Sequence, residues 1–169
     1  MEAHRKSFAD FRTNINLRQV KTLLVYSKND NLVKKFTDDI KRFANIQTFR
    51  KWRVDKKIYS FVNGKGNLLG IIWFSNKPKL KKFPFSFAVR IYPPARGGGF
   101  AKDFMKWAFW KFKKTKLFRK SKYKGFWLST RKDNLQAINL YTRFGFEHLK
   151  TESDKMIMIY EDKLAIKDR

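Results

Sequence analysis

Apolar residues along this chain follow two rhythms, separated by short polar or glycine-rich breaks. From Asn31 the positions Leu32, Val33, Phe36, Ile40, Phe43 and Ala44 recur every three or four residues, and residues 29–31 offer capping side chains, which predicts a helix. Residues 58–62 and 68–74 flank Asn63-Gly64-Lys65-Gly66-Asn67, whose glycines tolerate positive φ, and read as an antiparallel hairpin. Residues 85–92 form a further strand, closed by Pro93-Pro94, which cannot donate to a ladder. Helical spacing returns from Phe100 to about Lys114. A short apolar strand (125–129), a helix (134–144) stopped by Gly145 and a closing strand (155–160) complete the order. Residues 1–21, basic with scattered apolar positions, are predicted as an arm leading into a first strand at about 15–25.

Strands alternating with helices in this way predict an α/β domain with a mixed sheet. With 169 residues and no repeat, linker or low-complexity stretch, residues 1–169 are expected to form one domain. A hydrophobic fraction of 43%, with 17% aromatic, is enough to bury a core and excludes a disordered chain. Cysteine is absent, so neither a disulfide framework nor a thiolate metal site is available, and only His4 and His148 offer imidazole; no metal is expected. No apolar run is long enough to cross a bilayer and the N-terminus lacks an apolar signal core, so a soluble, cytoplasmic protein without a membrane partner is expected.

Charge changes the picture more than size does. Lys and Arg number 40 against 14 Asp and Glu, a formal net charge of +26, a field that draws anions and repels polyamines. AT-rich coding would inflate Lys and Phe, and the chain has 18 Phe. Glu is equally favoured by such codons, yet it occurs only at positions 2, 147, 152 and 161. Both an anionic macromolecular partner and a generally basic proteome are compatible with these numbers.

Three of the eight glycines, Gly97, Gly98 and Gly99, stand between the strand at 85–92 and the helix from Phe100. A strand that ends in a glycine turn opening a helix presents backbone N–H groups at the positive end of the helix dipole, a geometry suited to an anion and usually to phosphate. Without Cβ atoms these residues let the backbone approach a diphosphate, and Arg96 could add charge beside it. Packing alone also produces such turns. No Gly-Lys-Ser/Thr follows, so this is not a nucleoside-triphosphate loop, and the dinucleotide pattern G-x-G-x-x-G is missing.

Arg96-Gly97-Gly98-Gly99-Phe100-Ala101 resembles the coenzyme A loop of the GNAT superfamily of N-acyltransferases, Arg/Gln-x-x-Gly-x-Gly/Ala, with Pro93 where that family often places a proline. Downstream, the run from Asn134 through Ala137, Tyr141 and Gly145-Phe146 resembles the family's second signature, N-x-x-A-x-x-x-Y-x-x-x-G-F. The two motifs occur in the family's order. The resemblance covers roughly residues 58–160 well, and the N-terminal third only by element order.

What the resemblance implies is a central mixed, mostly antiparallel sheet flanked by helices, with splayed strands forming an acyl-CoA cleft, and transfer of an acetyl or other acyl group from acyl-CoA to an amine. The pyrophosphate would lie on the backbone amides of Gly97, Gly99, Phe100 and Ala101. The pantetheine arm would pair with Val89, Arg90 and Ile91. Asn134 would stand near the cofactor arm, although it also reads as a helix cap. Tyr141 would protonate the leaving thiolate, although it also reads as a half-buried helix residue. Many relatives carry a glutamate base on the strand before the loop, whereas residues 85–92 hold no carboxylate and do hold Arg90. Asp55, Asp133 and Glu147 are candidate substitutes, each more simply explained as a surface or turn residue. An acceptor of lowered pKa, such as an α-amino group or an aminoacyl ester, would need little help from a base.

On the helix from Phe100, the residues Ala101, Phe104, Met105, Ala108 and Phe112 form one apolar stripe, leaving Trp107 to the side and Trp110 opposite, among lysines. These tryptophans could stack on bases, form a subunit contact giving a homodimer, or be covered by the N-terminal arm. The basic run 111–124, with Phe112, Phe118 and Tyr123 interleaved, reads as a phosphate-tracking surface. The expected acceptor is therefore an amine associated with RNA, an aminoacyl-tRNA or a ribosomal protein. A small-molecule amine acetyltransferase and a non-catalytic GNAT-fold module binding nucleic acid are the alternatives.

Overall fold

The computed structural model describes residues 9–162. In chain order it holds β1 (Ala9–Arg12), α1 (Leu17–Asn29), α2 (Asn31–Phe36), α3 (Asp39–Arg42), α4 (Ile46–Trp52), β2 (Lys56–Asn63), β3 (Leu68–Leu80) and β4 (Phe83–Ile91). A 3-10 turn, Pro93–Ala95, leads to α5 (Phe100–Lys113), α6 (Lys116–Lys120), β5 (Gly125–Arg131), α7 (Leu135–Phe144), β6 (Glu147–Glu152) and β7 (Lys155–Glu161). Among the described residues the strands form an open seven-stranded sheet in the order β1-β2-β3-β4-β5-β7-β6. Pairing is antiparallel at β1/β2, β5/β7 and β6/β7 and parallel at β4/β5, so the mixed sheet flanked by helices, α/β in the broad sense and α+β in detail, is as expected from the sequence.

The chain divides into two compact units, one made of residues up to Trp73 with Val89–Lys111, the other of Phe74–Ala88 with residues from Phe112 onward. Aromatic rings fill both. In the first, Phe61 and Phe104 lie 5.7 Å apart by ring centroid, Phe11 stacks on Phe104 at 5.1 Å, and Trp52 meets Trp73 edge-on at 5.1 Å. In the second, Phe74 stacks on Phe112 at 4.3 Å and Phe118 on Phe126 at 5.7 Å. Burying each such ring contributes about 1.5–3 kcal/mol, which explains why so basic a chain folds.

Three expectations change. The first strand expected near residues 15–25 is instead α1. Asn16 caps it, accepting from Gln19 N at 2.9 Å while its own N–H donates to Gln19 Oε1 at 3.1 Å, and Gln19, Val20, Leu23 and Ser27 line its buried face. That reciprocal cap outweighs the strand propensity of Leu24 and Val25. The helix predicted from Asn31 does start there, with Asp30 as its cap, but breaks at Thr37, whose hydroxyl donates to Val33 O and accepts from Asp39 N. Strand β6 was not anticipated. It is exposed at every position and has no apolar alternation to read.

Trp107 is half-buried against Phe11 (5.6 Å) and Tyr59 (5.7 Å), so β1 covers it, while Trp110 stays 49% exposed with Lys111 Nζ 4.9 Å from its ring centre. His4 lies outside the described residues. No helix among the described residues is long and apolar enough to cross a membrane.

Candidate active site

In the first unit the site is built where β4 ends. Tyr92 N donates to Leu69 O at 2.9 Å, which ties that position to β3. Backbone polar groups alternate in direction along a strand, so Val89 and Ile91 turn theirs to the opposite edge. Two guanidinium groups meet those carbonyls. Arg90 Nη1 donates to Val89 O at 2.9 Å, and Arg96 Nε donates to Ile91 O at 2.9 Å. Each carbonyl keeps a second lone pair for a further donor.

Both guanidiniums are held by buried aspartates. Arg90 closes on Asp39 at 2.7 and 3.1 Å, and Arg96 closes on Asp30 at 3.0 and 2.5 Å. Arg42 also reaches Asp39, at 2.9 Å, and Arg90 lies 4.9 Å from the ring centre of Trp73. Burial pushes the Asp39 carboxyl up, but the charges and hydrogen bonds of Arg90 and Arg42 together outweigh it and hold the group below its usual value. A carboxylate so engaged is a poor proton acceptor. Arg96, expected to sit beside a bound anion, is instead a strut between Asp30 and the end of β4.

Tyr92, fully buried, stacks on Tyr26 at 4.3 Å, and its hydroxyl has no hydrogen-bond partner among the described residues. Burial first, and then the negative charge of Asp39, raise its pKa well above the ordinary phenol value. Neither aspartate nor this tyrosine was singled out from the sequence. The available signal was the scarcity of acid: aspartates buried in a chain this basic must meet arginine.

Past Tyr92 the chain turns through Pro93–Ala95 into the glycines. Gly97 and Gly99 both have φ of +74°, and a Cβ built on either would meet nothing within 4 Å. Glycine is required there by conformation, while the space over it stays open. A cradle that any side chain would fill, followed by the N–H groups of Phe100 and Ala101 at the start of a fourteen-residue helix, fits an anion laid against the backbone. Gly98 differs, since its Cβ would fall 2.5 Å from the Phe100 ring.

In the second unit, Asn134 caps α7, its side chain accepting from Ala137 N at 3.3 Å. Tyr141 is buried on the same helix, its ring 5.9 Å from Phe146 and 6.3 Å from Phe87. Gly145 ends the helix at φ +121°. The β4/β5 pair aligns Phe85 with Phe126 and Ser86 with Trp127, whereas β5 pairs with β7 from Gly125 to Arg131. Thus the loop and Val89 to Ile91 come together in one unit, and Asn134 with Tyr141 in the other. The candidate bases Asp55 and Asp133 are exposed partners of Lys56 and Arg131, and Glu147 is exposed on β6. Among the described residues no group of His, Cys, Asp and Glu could hold a metal ion.

The model of the acetyltransferase (GNAT) family matches residues 26–146. No curated protein matches the chain in sequence. Among solved structures, the chain is similar to spermidine N-acetyltransferase from Vibrio cholerae in complex with CoA and spermine, with 18% identity and a TM-score of 0.68 over 92% of this chain and 96% of that one. It is also similar to the N-acetyltransferase PseH from Campylobacter jejuni, with 13% identity and a TM-score of 0.58 over 92% and 99%.

Proposed function

The chain belongs to the acetyltransferase (GNAT) family, and from that membership we propose that it acetylates an amine of low pKa carried by or beside RNA, an aminoacyl-tRNA or a ribosomal protein amine. It is an N-acyltransferase that uses acetyl-CoA. Bound acetyl-CoA supplies an activated thioester, whose sulfur departs as the acceptor nitrogen takes the acetyl carbon. Backbone N–H groups of Gly97, Gly99, Phe100 and Ala101 hold the diphosphate, and the backbone of Val89 to Ile91 aligns the arm. Asn134 fixes the start of α7; Tyr141 Oη gives the leaving sulfur its proton, and the proton that the acceptor nitrogen sheds on acylation passes through water to restore the phenol.

The observation that carries the acceptor reading is the pairing of Arg90 on β4 with Asp39 of α3. A cation with its counter-ion, rather than a receptive carboxylate, stands on the strand where a base would act. The amine must therefore lose its proton without help; near neutral pH an α-amino group of pKa about 8 is neutral about one time in ten, a lysine of about 10.4 less than about one in a thousand. A net charge of +26 also opposes approach of a polycation such as spermidine and favours an acceptor on a polyanion. We read the whole chain as one transferase domain acting in the cytoplasm.

Following free-thiol release from acetyl-CoA over Phe-tRNA, a ribosomal protein extract, an α-amino ester and spermidine tests this reading. The expected order places aminoacyl-tRNA or the ribosomal amine first. Spermidine turned over fastest would overturn it.

A further inference from the structure

A second feature lies in the other unit, away from the glycine loop in sequence. The β3–β4 hairpin turns at Lys81-Lys82, and its tip rests on Gly125: a Cβ there would fall 2.3 Å from Lys82 O and 2.5 Å from the Phe83 ring. Bare backbone at Gly125 thus lets the hairpin close down on the segment that follows α6. Trp127 Nε1 donates to Lys77 O at 2.8 Å and ties the hairpin stem to β5. Lys124 Nζ donates to the carbonyls of Phe118 (2.5 Å) and Arg119 (3.0 Å), closing the end of α6. Between hairpin and helix runs a cleft of about 440 Å³ lined by Asn76, Phe85, Lys116, Leu117, Lys120 and Ser121. Its floor is rigid, because Phe85 is fully buried among Phe112, Phe118 and Phe126.

The helix wall is cationic, with Lys116 and Lys120 in the lining. Lys81 and Lys82 at the hairpin turn and Arg119 on α6 are exposed as well, and none of these five makes an ion pair among the described residues. Between Asp55 and Asp133 the sequence has one carboxylate, Asp103, which belongs to the first unit. Four carboxylates of the second unit are engaged with other cations: Asp162 with Lys113, Asp133 and Asp154 with Arg131, and Glu152 with Lys79 and Lys150. Like charges four apart on a helix, as at Lys116 and Lys120, destabilise it by a few tenths of a kcal/mol. An anionic ligand relieves that repulsion.

We propose that this cleft binds the phosphate backbone of a single-stranded stretch of RNA. A narrow basic groove matches a single strand's phosphates, whereas a bilayer surface is too flat to enter a cleft and would call for an exposed apolar wedge. The inference rests on the proposed function for why RNA is bound, and it adds where.

The test measures anisotropy of a labelled single-stranded RNA of about 12 nucleotides with the full chain. One variant carries Lys81→Glu, Lys82→Glu, Lys116→Glu and Lys120→Glu. A second, of equal charge change, carries Lys21→Glu, Lys34→Glu, Lys41→Glu and Lys51→Glu on exposed helix positions of the first unit. Five contacts at about 0.7 each give the wild type a log Kd against log salt slope of about 3.5, of which the groove variant loses about 3. At moderate salt the groove variant is expected to bind about 100-fold more weakly and the control variant less than about 10-fold. Equal losses in both variants, wild-type binding by the groove variant, or phosphatidylserine vesicles displacing RNA from the wild type at matched charge would overturn the proposal. Acetylation separates the two readings. Loss on Phe-tRNA with an unchanged rate on phenylalanine methyl ester supports the groove, and equal rates of both variants on Phe-tRNA refute the groove alone. RNA binding that passes the variant test, with no turnover of any RNA-linked amine, refutes the proposed acceptor alone.

Discussion

Arg90 and Asp39, 51 residues apart, are joined by two hydrogen bonds of 2.7 and 3.1 Å, with the carboxylate wholly removed from solvent. Asp39→Asn would leave the Arg90 charge buried without its counter-ion. A loss of about 3–5 kcal/mol is expected, read as a fall in the urea midpoint, whereas replacing both members by Leu and Met should recover most of it. A single variant as stable as wild type would show that the pair holds nothing.

The same pair sets an acid limit. Asp39 titrates lower in the folded chain than in the unfolded one, so its contribution is complete above the ordinary carboxylate value of about 3.9 and is lost as pH falls below it through the folded value. Stability of the wild type should therefore drop below about pH 4 more steeply than that of the Leu/Met double variant. Parallel pH profiles would remove Asp39 as the cause.

Gly99→Val tests the loop. A β-branched residue at φ +74° is strained by about 1–2 kcal/mol, and its side chain enters the open space over the backbone. Calorimetry is expected to show acetyl-CoA binding weakened more than about tenfold, beyond what the modest strain explains, with only a few degrees lost in Tm. Normal binding would mean the diphosphate lies elsewhere.

Tyr141→Phe keeps the ring packing against Phe146 and removes only the hydroxyl. A fall in kcat of about 10²-fold or more is expected, with acetyl-CoA affinity unchanged. Full activity would leave Tyr141 as a packing residue and the thiolate protonated by another group.

Tyr92→Phe should go the other way. Its hydroxyl is buried without a hydrogen bond, and an unsatisfied polar group costs about 1–3 kcal/mol. The variant is expected to be as stable as wild type or up to about 1 kcal/mol more stable by urea denaturation. Marked destabilisation would reveal a partner for the hydroxyl, such as a bound water.

What could be read along the chain was whatever is encoded in neighbours. The glycines before Phe100, the run from Asn134 to Phe146 and the helix ends at Asn134 and Gly145 are local, since caps and turns act within a few residues. Where local signals competed, the reading failed: the reciprocal cap of Asn16 and Gln19 decided for helix over the strand propensity that follows it. On β6 no burial pattern existed, because the strand is held by pairing with β7 alone.

The sequence by itself determined the class of fold and the family, because motif spacing and apolar period are properties of adjacent residues. Only the tertiary structure decided which of 40 cations would meet which of 14 carboxylates. Asp30 with Arg96 and Asp39 with Arg90 lie 66 and 51 residues apart, and Lys82 reaches Gly125 from the far end of a hairpin. Coulombic attraction between exposed charges is weak and indifferent to partner; it becomes specific when folding removes water from a few of them, and that choice is made by packing.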